Sequence, residues 1–547
     1  MKKVIISIFL VVNIYADTWS KLLHIDNGHN KIISKEFYLS QNILATTDEE
    51  LRATLKLLNS KDGQMVACNY PARYIYLKNN NFNIPNFNLN NCAVLTNFLN
   101  SFKQDKISLV FTSEHTNSPS SAFGHIMLLF SKNNEDIKLG DAVHYAAKTN
   151  VNDGFFKYSY KGFNGKYKGY FIREPFFKKI YDYNILEQRY IYIYSLNFTK
   201  KDIKFLIYHL FELRKATFKY YFLNENCATQ TSDLLSIVSN IKSSKSIYYL
   251  PIDTLKQYKN NITSYSKRTP ILNELNYLIN HMNKREKKIF YEIISTKKDI
   301  DDSCPNIVKE ALVKYTIFYF RRFHIWFRNY DNIMKQSYKS TIIKDKNLDP
   351  LSKVQPTNLG IGVLNSKLLF TYRPLFIDLE DIQQNELQQS EIKTFSFNLL
   401  IDKNRVNLLN LDFIDMKSLV TQFEFYKQPS WSIYLGLNQK NRDKELKVNL
   451  EVGIGKTVKY HQLLISSFGN LGFDNEEFYI NPEINVFSYL KQNLKIGVNA
   501  EYKLYGNNIF MKNDIFVTKR IKNKLFTLKY EHNSNEDLYE VVIKYNF

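Results

Sequence analysis

From about Pro356 to Phe547 the chain is a succession of short segments in which apolar and polar residues alternate. Leu446, Val448, Leu450, Val452 and Ile454 alternate with Lys447, Asn449, Glu451 and Gly453. Leu494 to Leu504 and Tyr539 to Phe547 repeat the pattern, and Trp431 to Leu437 repeats it less regularly. Side chains along a strand point to opposite faces in turn, so each segment has one apolar and one largely polar face. Two architectures satisfy that pattern: a soluble antiparallel sandwich or barrel, and a transmembrane barrel that is apolar outside and polar inside. Short turns such as Gly506-Asn507-Asn508 and Asn533-Ser534-Asn535-Glu536, aromatics near segment ends, and an alternating last strand ending on Phe547 favour the membrane form. Roughly ten to twelve strands are expected.

An outer-membrane barrel requires export, and the other end of the chain carries a matching feature. Lys2 and Lys3 precede an apolar run from Val4 to Val12, and Ala16 offers a small residue before a cut. Residues 1–16 therefore read as a cleaved signal peptide, and the run is too short to span a bilayer. The net charge of +21 suggests a polyanionic neighbour. In the cell envelope that neighbour is not nucleic acid. Outer-membrane lipid, peptidoglycan and lipopolysaccharide are the candidates, alongside the plainer reading of a solvated, Lys-rich surface. The four cysteines are Cys68, Cys92, Cys227 and Cys304. An exported chain can form disulfides, and the proximity of Cys68 and Cys92 favours that bridge.

Between these ends the texture changes several times. Residues 17–100 read as helical, with Glu49 to Leu58 at helical spacing. Residues 101–250 mix the short apolar runs Ile107 to Thr112 and Ile126 to Phe130, the strand-like Tyr190 to Leu196, and a helix over Lys201 to Lys215. Residues 251–352 read as a helical connector and 353–547 as the β-barrel. Tyr319 to Arg328 is dense in aromatic and basic residues, suited to a membrane surface or glycan, or more simply to an aromatic helix face packed on a neighbour.

The chemistry-bearing residues lie in the mixed region. Ser120-Ser121-Ala122-Phe123-Gly124-His125 runs into the strand Ile126 to Phe130, and Gly124 allows a tight turn that sets His125 at the strand's mouth. Asp141 to Ala147 carries His144, and Asn226-Cys227 precedes a helix from about Thr231 to Val238. A cysteine at a helix N-terminus gains from the dipole and free amides there. A histidine on an adjacent strand can serve as base and later as acid, and a second polar residue can orient it. That arrangement assigns Cys227 as nucleophile, His125 as base and His144 as orienting residue, with Asp141 as the alternative orienter. It is the geometry of papain-like thiol enzymes in permuted order. Taken alone, a cysteine and a histidine so far apart are more often structural: His125 as a core residue, Cys227 paired with Cys304. Glu114, Asp141, Glu174 and Glu187 offer carboxylates for a glycosidase pair, but their spacing singles out no acid and nucleophile. No metal-ligand motif and no phosphate-binding glycine loop occurs, so no metal and no cofactor is expected.

Several stretches together carry a family likeness: Ser120 to His125, His144-Tyr145-Ala146-Ala147, Gly165 to Phe171, Tyr181-Asp182-Tyr183-Asn184 with Glu187, and Asn226-Cys227. In this order they resemble the Lnb N-terminal periplasmic domain family (domain of unknown function 4105). Cys68 to Tyr74 resembles the region that precedes it. Tyr372-Arg373-Pro374, Ser418-Leu419 and Pro429-Ser430-Trp431 resemble its usual β-rich C-terminal companion. The family's Gly-His and Asn-Cys motifs are similar to those of permuted papain-like folds, such as the lecithin:retinol acyltransferase group and the NlpC-type cell-wall peptidases. The resemblance implies Cys227, His125 and His144 in the roles above, acting on amides or esters of cell-wall peptides or lipids.

The expected molecule is thus an α+β multidomain protein. It has a permuted papain-like α+β domain, a helical connector and a C-terminal antiparallel β-barrel in the outer membrane. The expected function is an envelope thiol hydrolase or acyltransferase. The alternative is a non-catalytic outer-membrane structural, binding or pore protein.

Overall fold

The computed structural model describes residues 18–116, 121–150, 152–239, 241, 248–301, 303–325, 329–336, 338, 349–352, 357–383, 388–403, 405–439, 446–474, 477–491, 493–506 and 508–546. The expected signal peptide, residues 1–16, lies outside the described residues, as does Ser120. The chain divides into two compact units, Met1–Ile343 and Lys344–Phe547.

The first unit is built on a seven-stranded antiparallel sheet. Its strands are β1 (Lys106–Thr112), β2 (His125–Ser131), β3 (Asp141–Lys148), β4 (Tyr167–Pro175), β5 (Ile191–Leu196), β6 (Phe218–Tyr220) and β7 (Ile262–Arg268), in the spatial order β6-β4-β3-β2-β1-β5-β7. The central strands carry apolar runs, and every residue of β2 is buried. Strands covered on both faces need such runs. One face packs Val110, Met127, Leu129, Ala142 and Ile193 against Phe176 and Ile180 of a short helix. That helix continues into the π-helical turn Tyr181–Leu186.

Helices flank the sheet on the N-terminal side. In α1 (Thr47–Leu58) a Thr46–Glu49 capping box fixes the start. α2 (Pro71–Asn79) begins on Pro71. A Cys68–Cys92 disulfide ties this region together, which is the favoured pairing, and Cys227 and Cys304 are free. Arg73 of α2 is fully buried. Its guanidinium donates to Glu50 Oε1 at 2.9 Å and to the Phe37 carbonyl at 2.9 Å, and its amide donates to Glu212 Oε1 at 3.0 Å. Glu212 ends α3 (Lys200–Glu212), and its other oxygen lies 3.2 Å from His209 Nδ1. His209 Nε2 in turn meets His24 Nε2 at 3.0 Å. This buried polar chain joins the N-terminal helices to the sheet domain.

From Pro251 to Lys335 the described residues are mostly helical, with one exception. β7 was not anticipated, because Ile-Thr-Ser-Tyr-Ser-Lys-Arg is an exposed edge strand without an apolar run. Of the aromatic-basic stretch, Tyr319 to Phe323 form the end of a helix at Asn306–Phe323, with Phe318 fully buried, and Trp326 to Arg328 lie outside the described residues. It packs on the π-helical turn, where Tyr181 donates to the Arg321 carbonyl at 2.6 Å and Arg322 donates to the Leu186 carbonyl. Among the described residues no helix is long and apolar enough to cross a membrane.

The second unit is a closed antiparallel barrel of twelve strands. The first, β8 (Asn358–Leu364), pairs with the last, β19 (Asp537–Asn546), and Asn358 lies opposite Asn546. The second strand, Lys367–Arg373, runs on past Pro374 as Leu375–Ile377 and pairs with Gln388–Asp402 on its other side. The alternation read from the sequence maps onto the two surfaces. Val452, Ile454, Val541 and Ile543 face outward, each about half exposed or more, whereas Asn449, Thr457, Val542 and Lys544 are buried inside. An apolar outer wall around a polar, charged interior satisfies every backbone group without an edge, and it fits hydrocarbon rather than water. The soluble sandwich is excluded, and the barrel belongs in the outer membrane.

Candidate functional site

Gly124 sets the geometry. Its φ is +98°, and a Cβ there would lie 2.7 Å from the Thr112 carbonyl oxygen and 3.0 Å from the Phe111 ring. Only glycine takes that turn without strain, so the chain enters β2 with His125 as its first residue. β2 and β3 are paired only from Leu128/Val143 to Phe130/Asp141. Beyond that point they part. His125, Ile126 and Met127 stay paired with β1, while His144 to Lys148 stay paired with β4. The Ile126 amide is therefore left without a partner on β3.

Cys227 fills that opening. It is the first residue of α4 (Cys227–Ser236), and the backbone amides of Ile126, Ala228 and Cys227 itself act on its thiol. Asn226 holds the helix start in place. Its Oδ1 accepts from Ala228 and Thr229 at 2.9 and 3.3 Å, and its Nδ2 donates to the Phe222 and Tyr249 carbonyls at 3.0 and 2.7 Å. The helix thus begins four residues before the expected Thr231, and the cap residue explains why.

His125 and His144 face one another across the parted strands, ring centroids 5.9 Å apart and nearly perpendicular. Tyr183, from the π-helical turn, lies 5.9 Å from the His125 ring on another side. His125 Nε2 is buried and has no hydrogen-bond partner. His144 Nε2 points to Glu174 Oε2 at 3.4 Å, and Glu174 is itself ion-paired to Lys178 and Lys179. A third group, absent from the sequence reading, completes the surroundings. Arg189 is 1% exposed, donates to the Ser113 carbonyl at 2.7 Å, pairs with Glu187 at 2.8 Å and lies 4.9 Å over the Tyr183 ring. Only its position after Glu187 hinted at it.

Burial controls the charge state of these groups. It pushes the Cys227 thiol up to about 11 against the three amides and the Arg189 charge, which pull it down. It holds His125 well below its ordinary value, reinforced by His144, Arg189 and Lys179. His144 is lowered to about 4, by burial and then Lys179, with Glu174 opposing. At neutral pH the Cys227 thiol and the His125 imidazole are both neutral, and both are covered.

The alternative orienter does not face the pair. Asp141 receives the Arg173 guanidinium at 2.8 and 3.1 Å and the Lys103 amide at 3.0 Å. It stands an odd number of residues from His144 and so points to the opposite face of β3. Asp141, Glu174 and Glu187 are each held in ion pairs, which removes the basis for a carboxylate-pair glycosidase.

The Lnb N-terminal periplasmic domain family matches residues 95–261. Two domain families of unknown function, DUF7843 and DUF7840, match residues 15–80 and 358–520. No curated protein matches the chain. Among solved structures it is similar to the KdgM porin in complex with disordered oligogalacturonate, 11% identical over 35% of this chain and 98% of that chain, TM-score 0.23. It is similar also to the NanC porin, 6% identical over 35% and 100% of the two chains, TM-score 0.25. A third is a loop L8 deletion mutant of OmpT, an outer membrane protein of Vibrio cholerae, 10% identical over 35% and 96%, TM-score 0.15. The matched family and the closed barrel together identify the chain as an outer-membrane β-barrel protein that carries an Lnb N-terminal periplasmic domain.

Proposed function

We propose that the Lnb domain is a permuted papain-like thiol hydrolase or acyltransferase, tethered to the outer membrane and acting on amide or ester bonds of peptidoglycan or envelope lipid. The observation that carries this reading is Cys227 at a helix N-terminus, its thiol against the His125–Ile126 peptide, with the His125 Nε2 buried and without a hydrogen-bond partner. His125 takes the thiol proton as the sulfur attacks the substrate carbonyl carbon. The tetrahedral oxyanion is met by amides at the start of α4. Collapse expels the amine or alcohol, which takes the proton from His125 and leaves a thioester. Water or an acceptor hydroxyl, deprotonated by His125, then attacks the thioester and restores the thiol. His144, backed by Glu174, orients His125. The basic surface suits an anionic substrate such as lipopolysaccharide, anionic lipid or cell-wall polymer.

The test is labelling with a thiol-directed probe in a Cys304→Ser background, which removes the other free thiol. Labelling is expected in that parent, lost in Cys227→Ala and reduced in His125→Ala. Equal labelling of the parent and His125→Ala overturns the assignment. Incubation with purified peptidoglycan and with acylated lipid, scoring newly released amine or acid, separates the two substrate classes. The competing reading, a non-catalytic binding or anchoring protein, is favoured by one observation: Cys227 is only 2% exposed.

A further inference from the structure

The barrel interior holds a structural device independent of the Cys–His site. After the short strand at Leu375–Ile377 the chain does not turn along the rim. Residues Asp378–Gln383 fold into the lumen, and basic side chains from the wall hold them there. Arg520 grips the Asp381 carboxylate with two donors, Nε at 2.9 Å from Oδ1. Lys544 reaches Glu380 at 3.1 Å and Asp378 at 3.5 Å, and Arg373 pairs with Asp378 at 2.5 Å. Lys495, fully buried, donates to the Leu379 and Asp381 carbonyls. Gln383 closes the turn on itself through the Asp378 and Ser390 carbonyls at 2.8 and 2.6 Å. Leu379 then plugs an apolar layer of Leu419, Leu464, Phe468, Phe487 and Phe516.

This layer lies at the rim where Asn358 begins the first strand and Asn546 ends the last. From the other rim, near Leu364 and Asn533, a cavity of about 490 Å³ runs down the lumen to Leu379 and Glu380. Among the described residues eleven carboxylates and six basic side chains line it, a local excess of negative charge in a chain whose net charge is +21. The lumen is therefore an acidic well with a floor made by one turn.

We propose that the barrel is a gated passage for small cations, closed at rest by the Asp378–Gln383 turn. Charge pairs, hydrogen bonds and the Leu379 contact hold the floor in the lumen, and it takes no part in the β-ladder, so it can swing away without unzipping the wall. Removing one partner from a buried pair strands the other charge, which shifts a two-state floor toward the open state by about a hundredfold.

The experiment is single-channel recording of the full-length protein in a planar bilayer under a KCl gradient, with heat-modifiable gel mobility to show a folded barrel. The wild type is expected to give rare openings. Asp381→Arg and Arg520→Asp are each expected to raise the open time about a hundredfold, with a reversal potential of cation-selective sign. The double variant Asp381→Arg with Arg520→Asp restores the pair and is expected to close again, which a merely misfolded barrel would not do. Steady wild-type conductance equal to that of the single variants, anion-selective openings, or a double variant as open as the singles would each overturn the proposal.

Discussion

Gly124 and His125 show how little sequence is needed to place a candidate base and how much is needed to surround it. The Gly-His pair was readable because a left-handed turn before a buried strand has few solutions. Gly124→Ala should destabilise the first unit by about 1–3 kcal/mol, the range for a forced backbone conformation, seen as a lower urea midpoint. The partners of His125 were less legible. His144 could be named, but Arg189 and Tyr183 reach the site through a π-helical turn and a buried guanidinium that leave no periodic signal. Histidine burial also gives a pH dependence. His144 titrates near 4 in the folded protein against 6.5 in the unfolded chain. Between those values the unfolded chain holds the extra proton, so stability is full above about pH 6.5 and falls as pH drops toward 4. His115, lowered to about 4 by burial and Arg189, acts in the same sense. The urea midpoint should therefore fall across that window, and His144→Gln should flatten part of the fall.

At the scale of elements, the N-terminal helices are joined to the sheet domain by a polar chain where a hydrophobic contact might have been expected. Arg73→Met would strand the Glu50 and Glu212 carboxylates in the core. A loss of about 3–5 kcal/mol is expected for breaking such a buried pair, read from the thermal midpoint of the circular dichroism signal. The disulfide has a separate effect. Cys68→Ser with Cys92→Ser frees a loop whose ends are 24 residues apart, an entropic loss of stability of about 3 kcal/mol. Protease resistance of the N-terminal helices should fall with it. Elements with a strong period were legible: the apolar runs that became β1 and β2, the capped helix from Lys200, and the alternating strands after residue 357. Those without one were not. β7 is polar and exposed at a sheet edge, and the inward turn at Asp378–Gln383 reads in sequence as an ordinary acidic loop. The parting of β2 from β3, on which the Cys227 position depends, is a matter of register, and no composition marks it.

For the whole molecule, the alternation after Pro356 narrows the architecture to a soluble sandwich or barrel and a membrane barrel, and closure with the apolar face outward decides between them. The decisive check is chemical asymmetry between its faces. Val452→Arg on the outer wall should cost about 2–4 kcal/mol of folding free energy into lipid vesicles. Thr457→Ser, on the inner face of the same strand, should leave it nearly unchanged. The same closure carries a consequence about sidedness. Twelve is an even number, so a chain that begins its first strand at one rim must finish its last at that rim, as Asn358 opposite Asn546 records. Parity alone then keeps the two ends of the barrel on one side of the membrane. Gain or loss of whole hairpins would preserve that, whereas an odd change would put the two ends on opposite sides.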